Sequence, residues 1–223
     1  MTGRVLVFGD IHGCDRAFAT MLDHLAVNST DTVVLLGDVV DRGPDSRGVI
    51  EKILDVQKAC SLVFVLGNHE EMLLDALEGH PSQRWLRSGG AATVESYGGT
   101  LANFPETHYE LLHNALSYWE NPTNICIHAN LEPGVELSEQ QPEWLRWQRL
   151  TGMEYPHPSG KLVVCGHSGI SGGLPVMSDG WVCLDTLAYQ GSFLTCLDAK
   201  SGALFQSQQS GGFRCGICLS DLR

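Results

Sequence analysis

The first 80 residues alternate short apolar runs with segments of helical periodicity, and no other feature of the sequence restricts the fold as strongly. Runs rich in Val, Leu and Phe occupy positions 4–8, 32–36 and 61–66, which predicts three strands. Between them, positions 14–27 and the segment after Asp45 place apolar residues on one face of a helix. Strands that recur roughly every 30 residues with helices between them imply right-handed βαβ crossovers and parallel strand pairing.

The remainder of the chain has a different pattern. A third helix is predicted at 70–77, and residues 80–122 are mainly helical between glycine pairs, with one helix over 109–119. The second half is predicted to contain strands at 124–129, 161–165, 174–177, 181–184, 192–198 and 203–207. Their short separations favour antiparallel hairpins. We therefore predict one α/β domain over residues 1–223, with a mixed β core in two sheets flanked by helices.

Charge and hydropathy exclude two classes of partner. Acidic residues outnumber basic ones by 26 to 14, for a net charge of −12, so no basic stripe is available to follow a nucleic-acid backbone. No apolar run approaches the roughly 18 to 20 residues that span a bilayer. The N-terminal run lacks a signal-peptide cleavage pattern and is interpreted as a strand. We predict a cytoplasmic protein with no nucleic-acid or membrane partner. The sequence leaves the oligomeric state open and favours a monomer.

The eight cysteines do not form a disulfide framework. They are scattered, at positions 14, 60, 126, 165, 183, 196, 215 and 218. Most lie inside apolar runs, as small buried residues do in a reducing compartment. Cys215 and Cys218 form a CxxC pair, but a zinc site needs two further ligands and the sequence has no second CxxC. We interpret this pair as incidental.

Five of the predicted strands end in polar residues of the kinds that bind metals, namely Asp10 and His12, Asp38, Asn68 and His69, His128, and His167. In α/β sheets the carboxyl ends of the strands form the crevice where ligands bind, so these side chains are expected to converge. One such residue alone would be interpreted as a turn residue or a hydrogen-bonded bystander. Its fivefold recurrence indicates a site.

The donor set at the strand ends suits two adjacent divalent ions. Carboxylate, imidazole and amide donors together match ions of intermediate hardness. The central Asp38 is the natural bridging ligand. Two ions about 3.5 to 4 Å apart can clamp a phosphoryl group and produce a hydroxide nucleophile near neutral pH.

Three motifs give the sequence a specific resemblance: Gly9-Asp-Ile-His-Gly13, Gly37-Asp-Val-Val-Asp-Arg-Gly43 and Gly67-Asn-His-Glu70. In order and separation they resemble the signature motifs of the PPP family of serine/threonine protein phosphatases, and most closely the compact bacterial and bacteriophage lambda-type enzymes. His128 and His167 resemble the family's two later histidines, so the resemblance covers nearly the whole chain. It implies the calcineurin-like metallophosphoesterase fold, with the metal site at the C-terminal ends of strands.

The resemblance also implies a role for each matching residue. The first ion would be held by Asp10, His12 and a bridging Asp38. The second would be held by Asp38, Asn68, His128 and His167. The native ions are expected to be two Mn²⁺, although iron or zinc would also suit these ligands.

Further residues would act on the substrate. His69, oriented by Asp41, would protonate the leaving alkoxide, and Arg42 would bind phosphate oxygens through its planar fork. A second phosphate-binding arginine is expected at Arg149, which matches the family's W-x-R pattern, with Arg146 as the alternative.

Tyr189 resembles a family aromatic residue near the site, although a packing role is nearly as well supported. The family's glycine after the Asp-Thr pair is Leu187 here.

The implied reaction is hydrolysis of a phosphorylated serine or threonine in a protein or peptide by a metal-bound hydroxide. One alternative is a symmetrical dinucleoside polyphosphate hydrolase, which shares the metal motifs. That family commonly has Gly-Asn-His-Asp in its third motif, whereas this chain has Glu70 and an intact Asp41-Arg42 pair. The second alternative is a metal-stabilised binding module with a vestigial site.

Overall fold

The computed structural model describes residues 3–222 and contains two β-sheets flanked by helices. The strands are β1 Val5–Phe8, β2 Thr32–Leu35, β3 Ser61–Phe64, β4 Trp119–Glu120, β5 Asn124–Cys126, β6 Leu162–Cys165, β7 Val176–Ser178, β8 Trp181–Cys183, β9 Leu194–Asp198, β10 Ala203–Ser207 and β11 Phe213–Cys218. The helices are α1 Asp15–Leu25, α2 Ser46–Ala59, α3 Asn68–Leu77, α4 Gln83–Trp85, α5 Ala91–Ser96, α6 Glu106–His113 and α7 Pro142–Trp147. No helix within residues 3–222 is long and apolar enough to cross a membrane.

The strand order confirms the mixed two-sheet prediction. The six-stranded sheet has the order β11-β10-β9-β1-β2-β3, and the five-stranded sheet has the order β4-β5-β6-β8-β7. β1, β2 and β3 pair in parallel, as the alternating pattern predicts. The prediction of antiparallel hairpins in the second half is wrong for the centre of the second sheet, because β6 pairs in parallel with both β5 and β8.

Alternate residues of β1 face two different hydrophobic layers. Leu6 and Phe8 pack towards the helices, where the Phe8 ring meets Phe18 of α1 edge-on at 5.5 Å. Val5 and Val7 pack in the layer between the two sheets. Because both faces of the strand are buried, it is a continuous apolar run with no polar alternation.

The predicted helix over 109–119 is wrong in its second half. α6 ends at His113, and the chain then runs alongside the end of β3. There the Leu116 N–H donates to the Phe64 carbonyl (2.7 Å), and the Leu66 N–H donates to the Leu116 carbonyl (2.8 Å). The open edge of β3 offers unpaired backbone groups, and satisfying them outweighs local helix propensity.

The edge strand β11 was not predicted. It contains Cys215 and Cys218, both free thiols and neither fully buried, with Gly216 between them at φ +88°. Its positions are half-exposed and it contains a glycine, so the sequence lacks the apolar alternation typical of a strand. Within residues 3–222, both groups of side chains that could hold a metal ion lie elsewhere.

Gly9, which follows β1, lies at a close approach between the two sheets. A Cβ at this position would lie 2.4 Å from the Leu184 carbonyl oxygen. Gly9→Ala is therefore expected to lower the free energy of unfolding by about 1–3 kcal/mol, measured by urea denaturation. The control is Gly212→Ala, whose Cβ would meet only the flexible Gln208 side chain. Equal stability of the two variants would contradict this account of the contact.

Candidate metal centre

The polar residues that follow five strands converge at one place in the structure. β1, β2 and β3 deliver ligands from the first sheet, and β5 and β6 deliver them from the second. The centre therefore lies where the carboxyl ends of both sheets meet. Nearly all of these side chains are buried: Asp10, His12, Asp38, Asn68, His69 and His128 fully, and His167 mostly.

Backbone strain is concentrated in these loops. Within residues 3–222, seven non-glycine residues have positive φ, and five of them belong to the predicted site: His12, Asp38, Asp41, Arg42 and His167. Such conformations are uncommon outside glycine and cost free energy. The surrounding structure holds these side chains in orientations that an unstrained turn would not give.

Asp38 occupies the shared position between two groups of ligand atoms. Its Oδ2 lies 3.5 Å from His12 Nε2, and its Oδ1 lies 3.4 Å from His128 Nε2. Asp10 Oδ2 lies 3.9 Å from His12 Nε2 on the first side. Each carboxylate oxygen of Asp38 thus faces one group, which is the arrangement required of a bridging ligand.

The second group of ligand atoms centres on Asn68. Its Oδ1 lies 3.0 Å from both His128 Nε2 and His167 Nδ1. Separations of this size are compatible with ligands that share one ion at metal–donor distances of about 2.0 to 2.2 Å.

A backbone carbonyl orients each of the three ligand imidazoles. His12 Nδ1 lies 2.9 Å from the Val40 oxygen, and His128 Nδ1 lies 2.7 Å from the Leu36 oxygen. His167 Nε2 lies 3.0 Å from the Trp147 oxygen. Donating one ring N–H to a carbonyl leaves the other nitrogen unprotonated and aimed into the centre.

The charges of the site fit bound cations. Burial raises the pKa of Asp10 well above its usual range, and the carboxylates of Asp185 and Asp38 raise it further. Burial lowers the pKa of His12, of His128 and of His167, the last to about 4. Clustered carboxylates among neutral imidazoles are costly to bury without a counter-charge, and two divalent ions would supply it.

Asp185 is a member of this cluster that sequence analysis did not assign. It follows β8 and is buried, and burial raises its pKa to about 6. The sequence offers only a weak signal for it, an Asp-Thr pair after a short strand.

Glu70 supports the centre without contributing a ligand atom. Its carboxylate accepts hydrogen bonds from the backbone N–H groups of Asp38 (2.7 Å), Val39 (2.8 Å) and Gly67 (3.1 Å). Burial and the Asp38 carboxylate raise the pKa of Glu70 to about 8. Glu70 therefore links the Gly67–Glu70 motif to the Gly37–Gly43 motif through backbone hydrogen bonds. Its place in the first turn of α3, where capping glutamates occur, is the sequence signal for this role.

His69 and Asp41 form a buried pair. His69 Nδ1 lies 2.6 Å from Asp41 Oδ2, and Asp41 also accepts hydrogen bonds from Thr93 Oγ1 and Trp85 Nε1. Burial lowers the pKa of His69, but the carboxylates of Asp38 and Asp41 outweigh this and raise it above the usual value. The pair can therefore hold a proton beside the centre, although His69 Nε2 also lies within reach of the first ligand group.

Arg42 and Tyr189 lie against the first ligand group. The two terminal nitrogens of Arg42 lie 3.0 Å from His12 Nε2 and 2.9 Å from His69 Nε2. The guanidinium stacks over the Tyr189 ring at 4.8 Å, and the same ring meets His12 edge-on at 5.1 Å. The Arg42 guanidinium thus lies between the imidazoles of His12 and His69 and the Tyr189 ring.

Arg146 and Arg149 have different environments. The Arg149 side chain is exposed, and its carbonyl accepts a hydrogen bond from Asn130. The Arg146 side chain is 11% exposed and forms an ion pair with Glu71 (2.8 Å). The Nε of Arg146 is buried without a hydrogen-bond partner among the described residues. The sequence-based choice of Arg149 stays a prediction, with Arg146 the more fixed of the two.

Glu71 connects the start of α3 to the candidate ligand His167 through one intermediate residue, Trp147. Its Oε2 accepts a hydrogen bond from Trp147 Nε1 at 2.6 Å, and the Trp147 carbonyl orients His167. Sequence analysis did not find this contact, because the three residues are far apart along the chain.

Comparison with known proteins places these observations in context. The family model of the calcineurin-like phosphoesterases matches residues 3–189. A symmetrical bis(5'-nucleosyl)-tetraphosphatase from Acidovorax sp. strain JS42 is 30% identical over 206 residues, which cover 91% of this chain and 54% of that protein. Serine/threonine-protein phosphatase 1 from Salmonella typhimurium strain LT2 is 39% identical over 87 residues, which cover 39% of this chain and 38% of that protein.

The matches do not separate the two substrate classes. The chain spans about half or less of the length of these curated relatives. Among solved structures, a provisionally assigned diadenosine tetraphosphatase matches with a TM-score of 0.69 at 22% identity, covering 97% of this chain and 94% of that one. Identity at this level shows a shared fold.

Two ions per chain are expected to bind after treatment with a chelator and dialysis against Mn²⁺, as measured by elemental analysis and calorimetry. His128→Ala removes a donor from the second group only, so it should weaken one site by about tenfold or more and leave the other unchanged. His157→Ala is the control, because that imidazole hydrogen-bonds Ser159 away from the centre. If both Mn²⁺ affinities were unchanged in His128→Ala, the assignment of His128 as a ligand would be wrong.

Glu71→Ala is expected to lower the affinity of the ion held by His167 about tenfold, because Trp147 would lose the hydrogen bond that holds its carbonyl in place. Glu71→Gln keeps an acceptor for the indole N–H and should retain most of the affinity. Glu143→Ala, an exposed change on α7, is the control. Identical Mn²⁺ affinity in Glu71→Ala and Glu143→Ala would show that this contact does not orient the ligand.

Proposed function

The chain belongs to the calcineurin-like phosphoesterase family and is a metallophosphoesterase, and from this premise we propose that it is a symmetrical dinucleoside polyphosphate hydrolase. The observation that carries the proposal is the alignment of nine-tenths of the chain with a protein named for this activity. The substrate class is a proposal because the chain spans only about half of that relative.

The residues of the centre would have different roles in hydrolysis. Two divalent ions, when bound, would neutralise phosphoryl oxygens and favour ionisation of the attacking water. Arg42 contributes a planar guanidinium that can bind two phosphate oxygens. Tyr189 packs on this guanidinium and limits its movement. We assign the native ions as Mn²⁺ from the mixed oxygen and nitrogen donors.

A second candidate, hydrolysis of phosphoserine or phosphothreonine in proteins, is favoured by one specific observation. His69 and Asp41 form a short, buried pair beside the centre. An alkoxide leaving group is strongly basic and needs a proton from such a pair, whereas a nucleoside diphosphate leaves as a weak base. The similarity to serine/threonine-protein phosphatase 1 over 87 residues supports the same candidate.

Initial rates of the Mn²⁺-loaded protein on diadenosine tetraphosphate and on a phosphoserine peptide test the two candidates directly. We expect kcat/KM to be at least about tenfold higher for the dinucleotide, a difference of roughly 1.4 kcal/mol in transition-state stabilisation. The reverse order would establish the second candidate. Hydrolysis of neither substrate, nor of p-nitrophenyl phosphate, would indicate a vestigial site.

The variant His69→Asn separates the chemistry of the two leaving groups. Loss of the acid should cost roughly 10² to 10⁴ in turnover on the phosphoserine peptide, and much less on the dinucleotide or on p-nitrophenyl phosphate. Metal content, measured in parallel, should match that of the wild type. Equal losses on all three substrates, or loss of an ion, would show that His69 is a ligand or a positioning group.

A further inference from the structure

A cavity of about 670 Å³ is lined by residues that have no part in the proposed reaction. Its walls are the loop over 130–136, the segment over 151–159, one side of α7 and Trp181 of β8. The volume is within the range of small-molecule sites, roughly 300 to 1,000 Å³.

The chain connects this cavity closely to the metal ligands. Asn130, on its inner wall, is two residues after the ligand His128, and its side chain donates a hydrogen bond to the Arg149 carbonyl. Gln148, also on the wall, adjoins Trp147, whose carbonyl orients His167. Two residues of chain span at most about 7 Å, so this wall of the cavity lies close to the backbone of His128.

Aromatic and apolar side chains dominate the lining. Trp144 and Trp181 contribute indole rings, and Tyr155 and Met153 project with 82% and 76% of their surface exposed. Large apolar side chains this exposed are informative when they gather at one concave site. The rings of Tyr155 and Trp144, unlike that of the buried Trp181, offer flat surfaces on which a planar ring can stack.

The charges of the cavity are of one sign. Glu132, Glu136 and Glu154 line it, and no lysine or arginine within residues 3–222 does. Phosphate groups would be repelled from these carboxylates and would move towards Arg42 and the metal centre. An uncharged planar group with N–H donors would be retained, because glutamate carboxylates accept hydrogen bonds from exocyclic amines.

Hydrogen bonds within the chain hold the backbone of both walls in place. The Gln140 side chain bonds the backbone of Glu132 and the Val135 carbonyl. On the opposite wall, Trp181 Nε1 donates to the Tyr155 carbonyl at 2.9 Å. Hydrogen bonds from Thr151 and Gly152 to the Glu154 carboxylate stabilise the turn that leads to Tyr155. A preorganised cavity binds with less loss of conformational entropy.

We propose that this cavity binds one nucleobase of the substrate, so that the polyphosphate extends from it to the metal centre. The proposal rests on the proposed function, which it deepens by assigning a second binding subsite. A concave cavity with stacking surfaces and hydrogen-bond acceptors suits a compact planar base better than an extended peptide.

Binding of adenosine, which has no phosphate, tests the cavity independently of hydrolysis. Calorimetry with the full chain should detect adenosine binding in the wild type. Tyr155→Ala should raise the Kd on the order of tenfold through loss of base stacking, while Tyr155→Phe should keep nearly wild-type affinity. Tyr109→Ala on α6, outside the cavity, is the matched control. Absence of adenosine binding, an unchanged Kd in Tyr155→Ala, or displacement of adenosine by a basic peptide would overturn the proposal.

Kinetics then distinguish failure of the cavity from failure of the proposed function. Tyr155→Ala should raise KM for diadenosine tetraphosphate on the order of tenfold and leave p-nitrophenyl phosphate hydrolysis unchanged. If adenosine binds as expected but the wild type does not hydrolyse the dinucleotide, the proposed function fails and the cavity stands. If the dinucleotide is hydrolysed with the same KM in wild type and Tyr155→Ala, the function stands and the cavity assignment is wrong.

Discussion

The placement of Asp38 is the constraint on which the rest of the centre depends. Its carbonyl accepts hydrogen bonds from the N–H groups of Ile11 and His12, and its own N–H donates to Glu70. Its Oδ1 also accepts from the His69 N–H at 3.0 Å. One residue with a left-handed backbone thus ties the loops after β1, β2 and β3 into a single unit. Any change that relaxes this residue would displace ligands on three strands at once.

The buried charges of the centre have two effects: they oppose folding, and they favour the binding of divalent ions. Carboxylates at Asp10, Asp38 and Asp185 are packed among imidazoles that burial keeps neutral. This arrangement opposes folding without cations and favours divalent ions strongly once they bind, so metal affinity and stability are linked. The apolar layers on both faces of β1 contribute packing free energy, which offsets the cost of burying these charges.

In the function proposed here, substrate choice depends on elements outside the ligand set. The His69–Asp41 pair suits a leaving group that needs a proton, and the acidic aromatic cavity after His128 suits a nucleobase. Proteins named for each of these two activities are similar to this chain. The metal centre sets the class of reaction, and the surrounding walls set the substrate.

The sequence by itself determined which residues converge. Each candidate ligand directly follows a strand, and the carboxyl ends of neighbouring parallel strands lie at the same edge of a sheet. Asp10, Asp38, Asn68 and His128 could be named in this way without coordinates. The tertiary structure alone decided what depends on distant pairing. It placed Asp185 beside Asp10, joined Glu71 through Trp147 to His167, and turned the predicted helix after His113 into a partner for β3. Such contacts leave no periodic pattern in the chain, because hydrogen bonds and charge between residues far apart in sequence are fixed only when the sheets pack.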